Sequence, residues 1–233
     1  MSDVVVQTGF GSIRIQSDCI GSTCTLDLLG ESETIALSDL FEGPDGEERP
    51  VAAETYRGVS LARWPGIYAD DDLGDFEGYA GWLEHNVFVA GHTTMQEEGI
   101  GEVSVPFSMS FGDATGSNPT SAGGGATWSG VMAGSEFGAA ASRVIEVRGD
   151  ADLTIADFAD PRIGVAFTNI RDLATGAPRD DMTWSGIALT DGGFAMGSDG
   201  NSIQGSFYGP DHGEVGGVFE RGLVFGAFGA KRQ

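Results

Sequence analysis

Apolar and polar residues alternate with a period of two through much of this chain. Between Val103 and Phe111 the apolar set is Val103, Val105, Phe107, Met109 and Phe111, set against Ser104, Pro106, Ser108 and Ser110. Such alternation predicts a strand with one buried face. The apolar set is expected to point into the core, and Pro106, which lacks an N–H, to mark a bulge or an edge. Ile203, Gly205 and Phe207 alternate in the same way with Gln204, Ser206 and Tyr208. From Phe76 onward eight runs read as strands: 80–92, 103–111, 127–134, 143–155, 163–171, 183–190, 203–208 continued by 215–219, and 223–230. The count becomes nine if 215–219 stands alone. The intervening text is turn-rich: GDATGSNPTSAGGG, GDAD, DFADPR, TGAPRDD and DGGFAMGSDGN. Short strands at this spacing indicate an antiparallel sandwich or barrel. Only 135–142 (SEFGAAAS) suits a helical turn.

Residues 4–6, 12–16, 25–29 and 33–37 are shorter β-like runs, followed by a polar loop over 41–50 and a Trp64-Pro65-Gly66 turn. The expected fold is all-β: an eight-stranded antiparallel β-barrel over 76–233, with a small N-terminal β element over 1–75 packed on it or capping it. TWSGVM at 127–132 and TWSGIA at 183–188 form a weak internal repeat. It places Trp128 and Trp184 at matching core positions, each two residues before a glycine.

Composition narrows the function classes. A hydrophobic content of 40% permits a real core. The 38 glycines follow no collagen period and fall in and between strands, where curved sheets bend. A net charge of −23 argues against nucleic acid and against anionic membrane surfaces. It suits a basic protein partner, and also simple solubility in a saline or extracellular setting. No apolar run is long enough for a membrane helix. A transmembrane barrel is disfavoured by the serine and proline on the second face of 103–111. Cys19 and Cys24 enclose four residues, a spacing that suits a disulfide-closed hairpin in an oxidising compartment; free thiols are the alternative.

The last thirty residues carry the most specific text. FYGP at 207–210, EVGGVF at 214–219 and GAFGAKR at 226–232 stand in order within about twenty-five residues. This resembles the closing signature of the transferrin-binding-protein-B-like β-barrel domain of Gram-negative surface lipoproteins. The resemblance implies an eight-stranded barrel with a filled interior, used for binding and not for catalysis. Family members bind transferrin, complement regulators, or haem- and haemoglobin-related ligands. The implied partner is therefore a protein, of the iron- or haem-carrying kind, and the implied location is extracytoplasmic: cell surface, outer-membrane-associated or periplasmic. An export signal and lipid anchor would lie upstream, since MSDVVVQTGFGS has neither. The matching residues Phe207, Tyr208, Gly209, Pro210, Glu214, Gly216, Gly217, Phe219, Gly226, Phe228 and Gly229 read as structural, as do Val218 and Phe225. Phe207→Ala is accordingly expected to lower the thermal midpoint and not merely to abolish binding. Ligand contacts are expected in the long polar loops 112–126 and 172–181.

Other chemistry finds little support in the sequence. Asp70-Asp71-Asp72-Leu73-Gly74-Asp75 misses the calcium-loop template, with its glycine at the fifth place and no glutamate at the twelfth. Asp191-Gly192-Gly193 and Asp199-Gly200-Asn201 read as turns. His85 and His92, seven apart on one expected strand, would face opposite sides about 23 Å apart. His212 lies in the FYGP turn, and any one of the three histidines could serve as a haem ligand. No GxSxG elbow or phosphate loop occurs. Neither an enzyme nor a resident cofactor or metal is expected. The alternatives are a carrier holding haem or another apolar molecule inside the barrel, or a structural surface or adhesin domain.

Overall fold

The computed structural model describes residues 2–8, 11–20, 23–28, 31–36, 53–67, 76–97, 101–120, 124–137 and 144–233. Side chains are described for 54–63, 77–93, 104–120, 124–137 and 144–233. The first nine strands are β1 (Ser2–Thr8), β2 (Gly11–Ile20), β3 (Thr23–Leu28), β4 (Glu31–Ala36), β5 (Ala53–Tyr56), β6 (Val59–Ile67), β7 (Phe76–Trp82), β8 (Asn86–Glu97) and β9 (Gly101–Gly112). They form one antiparallel sheet in the order β4-β3-β2-β1-β9-β8-β7-β6-β5. The next eight are β10 (Ala126–Phe137), β11 (Val144–Ile155), β12 (Arg162–Asp172), β13 (Met182–Thr190), β14 (Gly193–Ser198), β15 (Asn201–Tyr208), β16 (Glu214–Arg221) and β17 (Val224–Arg232). They close into an antiparallel barrel, with β10 pairing β17 from Trp128↔Arg232 to Glu136↔Val224.

The all-β class and the eight-stranded barrel agree with the sequence reading, but two of the expected barrel strands lie elsewhere. The runs 80–92 and 103–111 belong to the sheet, as β7–β8 and β9, so the barrel's strands begin at Ala126. The count is restored by β14, which lies in text read as turn, and by 203–208 and 215–219 being separate strands. Between β13 and β14 stands the two-residue turn Asp191-Gly192, both at positive φ (50° and 78°). That conformation gives the turn the twist a hairpin needs.

The barrel interior is filled. Trp128, Met132, Leu153, Phe167, Trp184, Phe194, Phe207, Phe219 and Phe228 form one buried cluster. Phe167 lies at its centre, with ring centroids of Phe219 at 4.7 Å, Phe228 at 5.3 Å and Trp184 at 5.5 Å. The two repeated tryptophans plug opposite ends. Trp128 donates its indole N–H to His212 O (2.8 Å) beneath Arg232, and Trp184 donates to Asn201 Oδ1 (3.0 Å) beneath Arg221.

A second apolar cluster joins sheet to barrel. Val59, Leu61, Phe88 and Ala90 of the sheet pack on Val131, Ala133, Val218 and Ala227 on the outer wall of β10, β16 and β17. This reverses the expected sense of β9. Pro106, Ser108 and Ser110 are its buried face, turned to the barrel, while Val105, Phe107 and Met109 are half-buried on the other. Phe111, on that other face, is buried. Tyr208 and Val218, read as structural, belong to the outer wall, and Phe225 is half-buried there against Phe137 (5.9 Å). Among the described residues no helix is long and apolar enough to cross a membrane.

Candidate interaction surface

The signature residues that face outward meet the sheet. Glu214, 2% exposed, accepts the backbone N–H groups of Glu84 and His85, both at 2.9 Å, from the turn between β7 and β8. A side chain at Gly216 would overlap the Asn86 amide, and one at Gly229 the Phe88 ring. Gly209 lies equally close to the His85 ring. Tyr208 is buried against Ser110, and burial pushes its phenol up to about 12 despite hydrogen bonds with Ser110 and Ser206. The remaining members face the interior or the ladder: Phe207, Phe219 and Phe228 in the core, Gly217 and Gly226 tight against neighbouring carbonyls. Pro210 opens a single 3-10 turn, Pro210–His212.

A polar contact, with no motif behind it, clamps the β5–β6 hairpin onto β11. Arg57, in the tight Arg57-Gly58 turn, reaches Asp152 (2.5 Å) and Asp150 (3.2 Å). Tyr56 donates its hydroxyl to Asp150 (2.8 Å), Arg63 pairs with Glu146 (2.9 Å), and Arg148 pairs with Glu54. Asn169 also donates to Asp150 (2.8 Å). Burial pushes the Asp150 carboxyl up, but the hydrogen bonds from Asn169 and Tyr56 and the Arg57 charge outweigh it, leaving the group below the usual range. A depressed folded-state pKa gives stability that is complete above the ordinary aspartate range and is lost as pH falls through it. Relief of self-repulsion acts the other way as pH approaches the pI of 4.1. The denaturant midpoint is therefore expected to hold from pH 7 to about 4.5 and to fall below about pH 4. An unchanged midpoint at pH 3 would show that loss of the clamp costs no more than the relief of self-repulsion returns.

The expected loops differ in character. Residues 113–119 form a strap across the Trp128 end. Thr115 N donates to Phe207 O (2.9 Å), Ser117 O bonds His212 Nε2 (2.8 Å), and Asn118 Oδ1 accepts Gly192 N–H (2.9 Å). Residues 121–123 lie outside the described residues. The 172–181 loop stands at the Trp184 end. Asp172 accepts the N–H groups of Thr175 (2.9 Å) and Ala174 (2.8 Å), and the Thr175 bond leads in holding its carboxyl below the usual range. Two open grooves flank this loop. One, about 510 Å³, is lined by Glu136, Arg179, Asp180, Asp181, Arg221 and Leu223. The other, about 430 Å³, lies among Tyr56, Arg148, Asp150, Asn169, Arg171 and Asp172.

The histidines are dispersed. His85 lies in the turn before β8 and not on the strand. His92 is half-buried beside Phe137 (6.5 Å), and burial lowers its pKa against the pull of Glu77 and Glu146. His212 is engaged by the strap. Among the described residues no three metal-ligating side chains come together. The Asp70–Asp75 cluster lies outside the described residues. Cys19 and Cys24 are direct cross-strand partners in β2 and β3, though their side chains are not described. Opposed residues in such a pair have Cα atoms about 4.5–5.5 Å apart, a separation a disulfide can bridge.

No family model and no curated protein sequence matches the chain. Solved structures do. Intact Ap-TbpB, with its N and C lobes, superposes with a TM-score of 0.57 at 17% identity, covering 99% of this chain and 46% of that one. The isotype 1 transferrin binding protein B of serogroup B Neisseria meningitidis aligns over 99% of this chain and 43% of its own length, at 18% identity and a TM-score of 0.48. The chain thus spans about half the length of these proteins. With its closing signature turned against the sheet, this chain has the transferrin-binding-protein-B-like fold, an eight-stranded barrel with an antiparallel sheet laid on its wall.

Proposed function

We propose that this chain is a non-enzymatic binding protein, held outside the cytoplasm of a Gram-negative bacterium, that captures a protein partner through its exposed loops. The filled barrel interior is the observation that carries the reading. With Trp128, Phe167, Phe207 and Phe219 all fully buried, the interior offers no room for haem or a lipocalin-type ligand, so capture falls to the outside. The strap over the Trp128 end is committed to internal bonds, which favours the 172–181 loop and its two grooves as the contact surface. A transferrin binding protein B stands by name among the solved structures similar to this chain, which supports a partner of the iron-carrying kind and a role in iron acquisition. A net charge of −23 favours a partner with a basic face.

The test is retention of candidate partners by the purified chain: transferrin, lactoferrin and haemoglobin in turn, with haem-agarose alongside, at low and high salt. The expected result is retention of one iron protein, weakened at high salt because exposed charge pairs are screened. Retention on haem alone, or of none of the four, would overturn the reading.

A further inference from the structure

The barrel is not equally closed around its circumference. Only two register pairs join β13 to β14, Leu189↔Phe194 and Thr190↔Gly193, both beside the Asp191-Gly192 turn. β12 meets β13 through five pairs and β14 meets β15 through six. Beyond the turn the two strands part, leaving 183–188 on β13 and 195–198 on β14 with no ladder between them. Thr183, Ser185, Gly186 and Ala188 are exposed, as is every residue from Ala195 to Ser198. The Gly186 carbonyl accepts from the Arg162 side chain of β12 (3.1 Å), at the bulge where the β12–β13 register slips. Trp184, Ile187 and Phe194 still seal the core behind the gap. The seam also faces away from the sheet, which covers β10, β16 and β17, so β13 and β14 lie on the far wall.

Two facing, unfilled strand edges are a template for an added strand. We infer that this seam accepts an extended, basic segment of a protein partner by main-chain pairing along β13 or β14. The inference rests on the binding-protein reading and names the partner's form. The sign of the charge comes from the rim. Asp180 and Asp181 precede β13, Asp199 follows β14 and Asp191 lies in the turn, all exposed. The arginines nearby are engaged: Arg162 with Asp160, Arg179 with Glu136 and Asp172, and Arg221 with Asn201. Alternate side chains of the incoming strand would face solvent over Ser185 and Ala188, beside the acidic rim.

Amide hydrogen exchange on the whole chain tests this, first alone and then with a capped peptide of about nine residues that alternates lysine with valine and threonine. In the free protein, amides on the open edges of 183–188 and 195–198 are expected to exchange at least about a hundredfold faster than those of β16 and β17. The basic peptide should slow them. A version with proline at alternate positions should not, and a glutamate version should bind at least about tenfold more weakly. Met196→Lys, at an exposed position, should weaken the lysine peptide by about tenfold with the fold intact. Equal protection of the seam and β16–β17 in the free protein would overturn the inference, as would a peptide that leaves the seam unchanged. Protection that grows with protein concentration alone would assign the edge to a second copy of the chain and overturn the basic-partner assignment. An iron protein retained equally by Met196→Lys would overturn the seam and leave the binding-protein reading standing. If no partner is retained, that reading falls, while the peptide still decides the seam.

Discussion

Phe207→Ala should cost about 4 kcal/mol of stability, within the range for truncating a fully buried aromatic side chain. For a chain of this size that corresponds to a fall of roughly 10 °C in Tm. Phe207 is completely buried, with ring centroids of Trp128 at 5.1 Å, His212 at 5.8 Å and Phe194 at 6.2 Å. The cavity would open at the Trp128 end, beside the Trp128 and Phe194 rings. Neighbours held by hydrogen bonds, such as the Trp128 indole on His212 O, cannot collapse far into it. The backbone of Phe207 also anchors the strap through Thr115, and that bond survives the substitution. Calorimetry of the variant measures the effect. A Tm within about 3 °C of the parent would contradict the core assignment.

Glu214→Ala should be nearly as severe for a different reason. Its two oxygens satisfy the N–H groups of Glu84 and His85 at the junction of sheet and barrel. Removing them leaves two donors without their carboxylate in a part-buried site, each costing about 1–3 kcal/mol, so the total is expected at about 3 kcal/mol. Glu214→Gln retains one acceptor and should fall between. The informative readout is local. Amide exchange of 83–88 should accelerate more than that of β12 and β13, since the lost contact is between units and not inside the barrel. Uniform acceleration across both would show that Glu214 supports the barrel alone.

The periodicity of residues 127–232 was enough to read every barrel strand except β14, because those strands have a filled side and a wet side. β11 shows it plainly: Val147, Ala151, Leu153 and Ile155 are buried, and Asp152 and Thr154 are not. The sheet defeated the same logic. Phe88 and Val89 are consecutive and both buried, so alternation on β8 and β9 cannot tell which face meets the barrel. On the hidden face of β9, Ser110 is satisfied by Asn86 and Tyr208, while the buried Ser108 hydroxyl has no hydrogen-bond partner. β14 was illegible because GFAMGS has two glycines and no alternation, although a two-residue Asp-Gly turn bounds it on each side. The signature was recognised in the sequence, but not its purpose. Gly216 and Gly229 are explained only by Asn86 and Phe88, more than a hundred residues earlier. The Arg57 clamp had no signal except charge, and charge is abundant along the whole chain.

The pairing of β10 with β17 has a consequence for how the molecule is made. Trp128 meets Arg232 and Glu136 meets Val224, so the barrel closes through partners roughly a hundred residues apart. The sheet is joined in the same way, Thr8 meeting Phe107. Loop-closure entropy must be overcome twice before either contact is rewarded, which places this topology among slow folders, in the millisecond-to-second range or beyond. Until β17 arrives from the ribosome, β10 and β16 both present open edges, and the apolar wall that seats Phe88 is incomplete. Once the last strand is in place, unfolding must break both long-range seams together, and the finished protein should persist by the height of that barrier as much as by its equilibrium stability.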